Sequence, residues 1–331
     1  MRPTIDPSRP VTRSGNLSAP RTPAFGTSGA RKPAVLERRG ARTAPVRNQQ
    51  YSNQRYSEPA VFRTSGPEAQ EAAINARNAL VGGGSAGIGY AVAEQLLRSG
   101  HRVVITGRRA ERLESAALRL GGDTGGLVHA LVNDVSEPKS AATALDVVES
   151  RYGALDVLVL NAGGPPPGRV LEVEDERWQQ AFELLLLGPL RLARLALPRM
   201  AAQGFGRVVF VTSAAVRQPQ PDLATSVVLR SALTAASKLL SREFAAEGVT
   251  VNCVAPGATA TERRREILDA RARITEVPYE DLDAADAAGI PAGRAGRPEE
   301  IGAAVTFLAS AAAGYLNGTV LTVDGGRTET I

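Results

Sequence analysis

The sequence predicts an α/β protein: one doubly wound domain on a seven-stranded parallel sheet with helices on both faces. Two observations carry this. Short, continuous apolar runs recur at 78–81, 101–105, 127–132, 157–160, 208–211, 249–254 and 319–323, with helical stretches between them. Unbroken runs of that length suit strands buried on both faces, and such strands separated by helices pair in parallel. The second observation is the glycine-rich stretch GGGSAGIG at 82–89, standing between the first run and an amphipathic segment.

In chain order, the first run (Ala79, Leu80, Val81) breaks into the glycines, and a helix starts inside them. Ile88, Val92 and Leu96 share one face of that helix, Glu94, Gln95 and Arg98 the other, and Gly100 ends it. A tight turn that brings bare backbone N–H groups against a pyrophosphate needs glycine, and the helix adds its positive end to the same anion. Gly83, Ser85, Ala86, Gly87, Ile88 and Gly89 are therefore the candidate dinucleotide contacts.

The second run stops at Thr106-Gly107-Arg108-Arg109. NAD binders usually place an acid about twenty residues past the glycines. Here Arg108 stands 19 residues after Gly89, with Arg109 next. Guanidinium groups suit a ribose 2′-phosphate, so NADP is the expected cofactor; a solvated helix start is the plainer alternative. Later strands end on Asp134, on Asn161-Ala162-Gly163, on Ser213 and on Pro256-Gly257. Turns favour such residues in any case, but together on the carboxyl edge of one sheet they outline a pocket.

The net charge of +5 is unevenly spread: residues 1–66 carry 12 Lys and Arg against 3 acids, which leaves the rest mildly acidic. Residues 1–70 read as a disordered basic arm rich in Arg, Pro and Ser, and 71–331 as the folded domain. The arm suits a flexible extension or a misassigned start, a nucleic-acid or membrane contact, or a targeting segment, though the eight prolines of 1–66 break any amphipathic helix. Nucleic-acid binding by the acidic body is not expected. Cys253 is the only cysteine, and His101 and His129 are the only histidines, so neither a disulfide framework nor a metal site is expected. The most apolar stretch, 181–197, is cut by Arg191 and Arg194 and is too short for a bilayer. A cytoplasmic protein without a membrane segment is the expectation.

These residues, in this order, resemble the short-chain dehydrogenase/reductase family over about 76–326, and within it the bacterial 3-oxoacyl carrier-protein reductase-like branch. The resemblance runs through GGGSAGIG, with Gly82 where threonine is usual, then Asp134-Val135 and the Asn-Ala-Gly turn. It continues through VNCVAPG (251–257) with Thr261 beyond, GRAGRPEEI (293–301) and VDGG (323–326). It implies a Rossmann fold, an adenine contact at Asp134 and Val135, and cofactor contacts at Asn161, Ala162, Gly163, Pro256, Gly257 and Thr261. It also implies a homodimer or homotetramer assembled through two long helices, 178–202 and 225–247.

The family's reaction centre is where the chain departs. It consists of a serine, a tyrosine thirteen residues on, a lysine four beyond, and an asparagine from the preceding long helix. Tyrosine is the acid or base at the carbonyl oxygen; lysine lowers its pKa and holds the nicotinamide ribose. Ser213 fills the first place, but Ser226 and Arg230 stand at the next two, and Leu185 stands at the asparagine position.

Two readings follow. In one, hydride passes between NADP(H) and a small carbonyl, hydroxyl or enone substrate. Arg230 then holds ribose hydroxyls or a developing alkoxide, and Ser213 or Ser226 relays a proton. In the other, the chain is a cofactor-binding pseudoenzyme, a sensor or an assembly partner. A third class, a lyase or isomerase that uses NADP transiently, would use Asp222 as base, the only carboxylate between Ser213 and Ser226. The substrate is expected over 163–168 (GGPPPG), 219–223 and 258–291, the last acting as a mobile lid.

Overall fold

The computed structural model describes residues 77–330; the arm expected at 1–70 lies outside them. Its strands are β1 (Asn78–Val81), β2 (Arg102–Gly107), β3 (Val128–Val132), β4 (Val157–Leu160), β5 (Gly206–Val211), β6 (Val249–Pro256) and β7 (Val320–Val323). They form one sheet in the order β3-β2-β1-β4-β5-β6-β7, every pair parallel. The expected doubly wound architecture is therefore observed. The order reverses at β1, which pairs with both β2 and β4. Loops leaving the two sides of such a switch diverge and open a crevice at the carboxyl edge.

Alternate strand residues feed two apolar layers, as the period of two requires. Ala79, Val81, Val103 and Ile105 pack with Val92 and Leu96 of α1 (Gly87–Arg98), Leu113 of α2 (Ala110–Thr124) and helix Pro298–Ala309. Leu80, Val104 and Leu158 face the other way. They meet Leu145 of α3 (Ser140–Tyr152) and residues of the two long helices. Among the described residues no helix is long and apolar enough to cross a membrane.

The helix expected at 178–202 starts earlier and is not uniform. It runs as α4 (Asp175–Phe182), a π turn at Glu183–Leu187, and α5 (Gly188–Ala202). Gly188 donates its N–H five residues back, to Glu183 O. Pro189 explains the widening: it has no N–H, and in a regular helix its ring would press on the Leu185 carbonyl. Arg191 fastens the turn through its Nη1, 2.6 Å from Glu183 Oε2.

After β5 come α6 (Ala224–Glu243), then α7 (Glu262–Thr275), α8 (Tyr279–Ala288) and α9 (Pro298–Ala309). The segment expected as a mobile lid is thus two helices rather than a long loop.

Candidate active site

A cavity of about 660 Å³ opens at the carboxyl edge above the β1–β4 switch. At one end the chain turns through Gly83 and Gly87, both left-handed (φ +64° and +54°), which side chains rarely tolerate. Asn161 at the end of β4 donates its Nδ2 to Gly82 O at 3.0 Å and holds this turn down. Gly83, Ser85, Ala86, Gly87 and Ile88 line the cavity as the sequence implied.

Gly89 is not among the lining residues, and its role in the structure is one of packing. A Cβ on Gly89 would collide with the Gly83 carbonyl, so this glycine lets α1 pack on its own turn. Thr261 accepts from Arg264 N at 3.3 Å and caps α7, and its methyl lies beside Gly87. The positive ends of α1 and α7 thereby meet at one point on the cavity wall.

Arg108 and Arg109 line the cavity at the start of α2, both exposed and, among the described residues, in no ion pair. Cations at a helix N-terminus oppose the macrodipole, so an anion placed between them relieves a local cost. Arg112, one turn further, also lines the cavity and pairs with Glu262 of α7. Helical spacing from Arg108 and Arg109 was the signal that would have found it. Asp134 Oδ1 accepts from Ser136 N at 3.0 Å and Ser136 Oγ at 2.7 Å, shaping the loop that presents Asp134 and Val135 to the cavity.

Ser213, Ser226 and Arg230 line the same cavity, beyond Asn161, Ala162 and Gly163; Pro256 and Gly257 close it from β6. Ser213 Oγ accepts from Ala215 N at 3.2 Å. Arg230 is only 8% exposed. Its Nε donates to Ser226 Oγ (3.2 Å), Nη1 to Val211 O (2.7 Å) and Nη2 to Ala162 O (3.2 Å). Burial, together with the Arg263 guanidinium nearby, lowers its pKa to about 10, so it stays a cation at neutral pH. Leu185 is buried with Ala181 and Leu229, and the partly buried Trp178 packs against them. Among the described residues lining the cavity there is no tyrosine, lysine or histidine.

α7 covers the far end. Arg263 lies flat against Gly164, its Nε 3.1 Å from where a Cβ would stand, and donates to Pro165 O. Arg264 pairs with Asp283 and Asp286 of α8, and Arg327 also reaches Asp286 at 2.7 Å. Arg271 Nε donates to Asp222 Oδ2 at 2.7 Å. Asp222 is therefore held by an arginine and is not among the residues that line the cavity. Arg327 and Thr328 do line it; the sequence reading missed them, although they follow the carboxyl end of β7 as the other candidates follow theirs.

The profile of the family described as Enoyl-(Acyl carrier protein) reductase matches residues 83–328. The 3-oxoacyl-[acyl-carrier-protein] reductase FabG of Haemophilus influenzae is 34% identical over 248 residues, 75% of this chain and 96% of that protein. Among solved structures, YwfH, an NADPH dependent reductase involved in bacilysin biosynthesis, superposes with a TM-score of 0.74 at 29% identity. That match covers 78% of this chain and 100% of YwfH. A variant actinorhodin polyketide ketoreductase with NADPH gives 0.75 at 30% identity, covering 77% and 98%.

Proposed function

The chain belongs to the short-chain dehydrogenase/reductase family of oxidoreductases, on its 3-oxoacyl carrier-protein reductase-like branch, and we propose that it is an NADP(H)-dependent reductase of a small enone or carbonyl compound. One observation carries the reading: a single cavity has exposed Arg108 and Arg109 at one end and buried Arg230 at the other. The glycine turn and the N-termini of α1 and α7 fit a pyrophosphate, and Arg108 and Arg109 fit a 2′-phosphate. The NADPH named with YwfH and with the ketoreductase supports the same choice.

A reduced nicotinamide bound there supplies a hydride. Arg230 has five N–H donors and spends three, so two remain for the negative charge that develops on the substrate oxygen. Ser213 and Ser226 relay a proton from water. Neither a serine nor an arginine is a ready acid, so the site suits a weakly basic enolate better than the alkoxide of an isolated ketone.

The buried Leu185 cluster favours a second reading, a cofactor-binding sensor, because a polar relay position has become apolar packing. Calorimetric titration with NADPH and NADH, then NADPH oxidation with enones and ketones, separates the two. NADPH-selective binding with enone turnover supports the reductase; binding without turnover of either class supports the sensor. Arg108→Ala with Arg109→Ala should weaken NADPH about tenfold more than NADH, and equal weakening removes the 2′-phosphate assignment.

The reading includes a cytoplasmic homodimer or homotetramer. Phe182 of α4 and Val228 and Leu239 of α6 are exposed, which fits pairing through those helices. Only monomer in light scattering would count against it.

A further inference from the structure

The substrate end of the cavity holds a charge that no neighbouring carboxylate balances. Arg230 is buried, and its three hydrogen-bond partners, Val211 O, Ala162 O and Ser226 Oγ, are all neutral. A guanidinium withdrawn from water loses hydration that such dipoles replace only in part. The charged neighbour on the α7 side is of the same sign: Arg263, seated on Gly164 and donating to Pro165 O. Glu266, which lines the cavity as well, answers Arg263 at 3.2 Å, its side chain 65% exposed against 32% for Arg263. Arg271 has already spent its charge on Asp222. Arg108 and Arg109 stand at the end of β2, on the other side of the switch point, so a 2′-phosphate bound there leaves the buried Arg230 charge uncompensated.

We propose that the substrate is a small organic anion, an unsaturated keto acid, whose carboxylate is held by Arg263 while its carbonyl oxygen faces Arg230. This rests on the reductase reading and names its substrate class. Hydride from NADPH adds to the alkene carbon β to the ketone, the π pair shifts onto the carbonyl oxygen, and a proton from water at the α carbon completes the saturated keto acid and NADP+. Arg263 keeps free donors after its bonds to Pro165 O and Glu266, and a planar guanidinium matches a carboxylate with two parallel hydrogen bonds. An ester or amide of the same shape offers no charge to the pair.

The test uses the full chain saturated with NADP+, titrated with trans-3-benzoylacrylate and separately with its amide. The acid is expected to bind at least about tenfold more tightly than the amide. Arg263→Gln should abolish that preference by weakening the acid while leaving the amide's affinity where it was. Equal affinity for acid and amide, or a preference that survives in Arg263→Gln, overturns the proposal. So does the absence of acid binding at millimolar concentration. The preceding NADP+ titration keeps the two ideas apart: if NADP+ itself does not bind, the reductase reading fails and the anionic substrate fails with it.

Discussion

Arg230 donates its Nε–H to the Ser226 hydroxyl at 3.2 Å, one helical turn earlier on α6. The two positions that the resemblance sets against the family's tyrosine and lysine are thus bonded to each other. The remaining bonds of the guanidinium, to Val211 O and Ala162 O, join the ends of β5 and β4. The same side chain is a structural brace and a candidate for contact with the reacting atoms.

Replacing it should therefore register in two measurements. Arg230→Met strands the buried Val211 carbonyl, worth about 1–3 kcal/mol, and takes a donor from the part-buried Ala162 carbonyl, while relief of the buried charge offsets part of that. A net loss of about 1–3 kcal/mol in chemical denaturation is expected, with turnover down about 10²-fold. Arg230→Lys should recover part of the rate, since the cation remains but spans fewer acceptors. Unchanged turnover in Arg230→Met would exclude any role in charge stabilisation.

Two glycines give opposite outcomes. Gly89→Ala drives a methyl into the Gly83 carbonyl and should lower the melting temperature and abolish NADPH binding together. Gly122 lies within α2 with no atom within 4 Å of an added Cβ, so Gly122→Ala should stabilise by about 0.5–1 kcal/mol. Equal melting temperatures for the two variants would show that the first glycine is not needed for packing.

Asp222→Asn breaks a pair whose side chains are 30% and 34% exposed, worth at most about 1 kcal/mol. Turnover is expected to stay within about twofold of the parent. A near-complete loss with NADPH affinity intact would restore Asp222 as a base.

Asp286 gives a pH signature. Burial alone would push its carboxyl up, but hydrogen bonds and charges from Arg327 and Arg264 outweigh that and hold it below the usual aspartate range. A depressed folded pKa lends stability that is complete above the unfolded value of about 3.9 and fades as the pH falls below it. Asp286→Asn should melt earlier than the parent at neutral pH, and the gap should close in acid. A constant gap down to about pH 3 would rule out the ionised clamp.

How legible the molecule was depends on the range of the interaction. β1 and β4 match their apolar runs residue for residue, because Gly82 and Asn161 bound them sharply. β2 and β6 run two residues past theirs: Thr106, Gly107, Ala255 and Pro256 still pair in the ladder, which depends on backbone geometry rather than polarity. The lining of the cavity at the carboxyl edge was readable where a candidate closely follows a strand, as Asn161, Ser213 and Gly257 do. The seats of Arg263 and Arg271 were not, since their partners Pro165 and Asp222 lie 98 and 49 residues away and leave no periodic trace. The π turn did have a local sign, Pro189, whose missing N–H a uniform helix pattern passes over.

Arg112 of α2 and Glu262 of α7 are joined across the mouth of the cavity, one beside the arginines at the glycine end, the other at the root of the helix that carries Arg263. An acid seated beneath α7 would thus sit behind the same clasp as a dinucleotide at the glycine end. The expected order of binding is dinucleotide first and last, with the acid coming and going above it. Product-inhibition kinetics would display this as competition between NADPH and NADP+ alone.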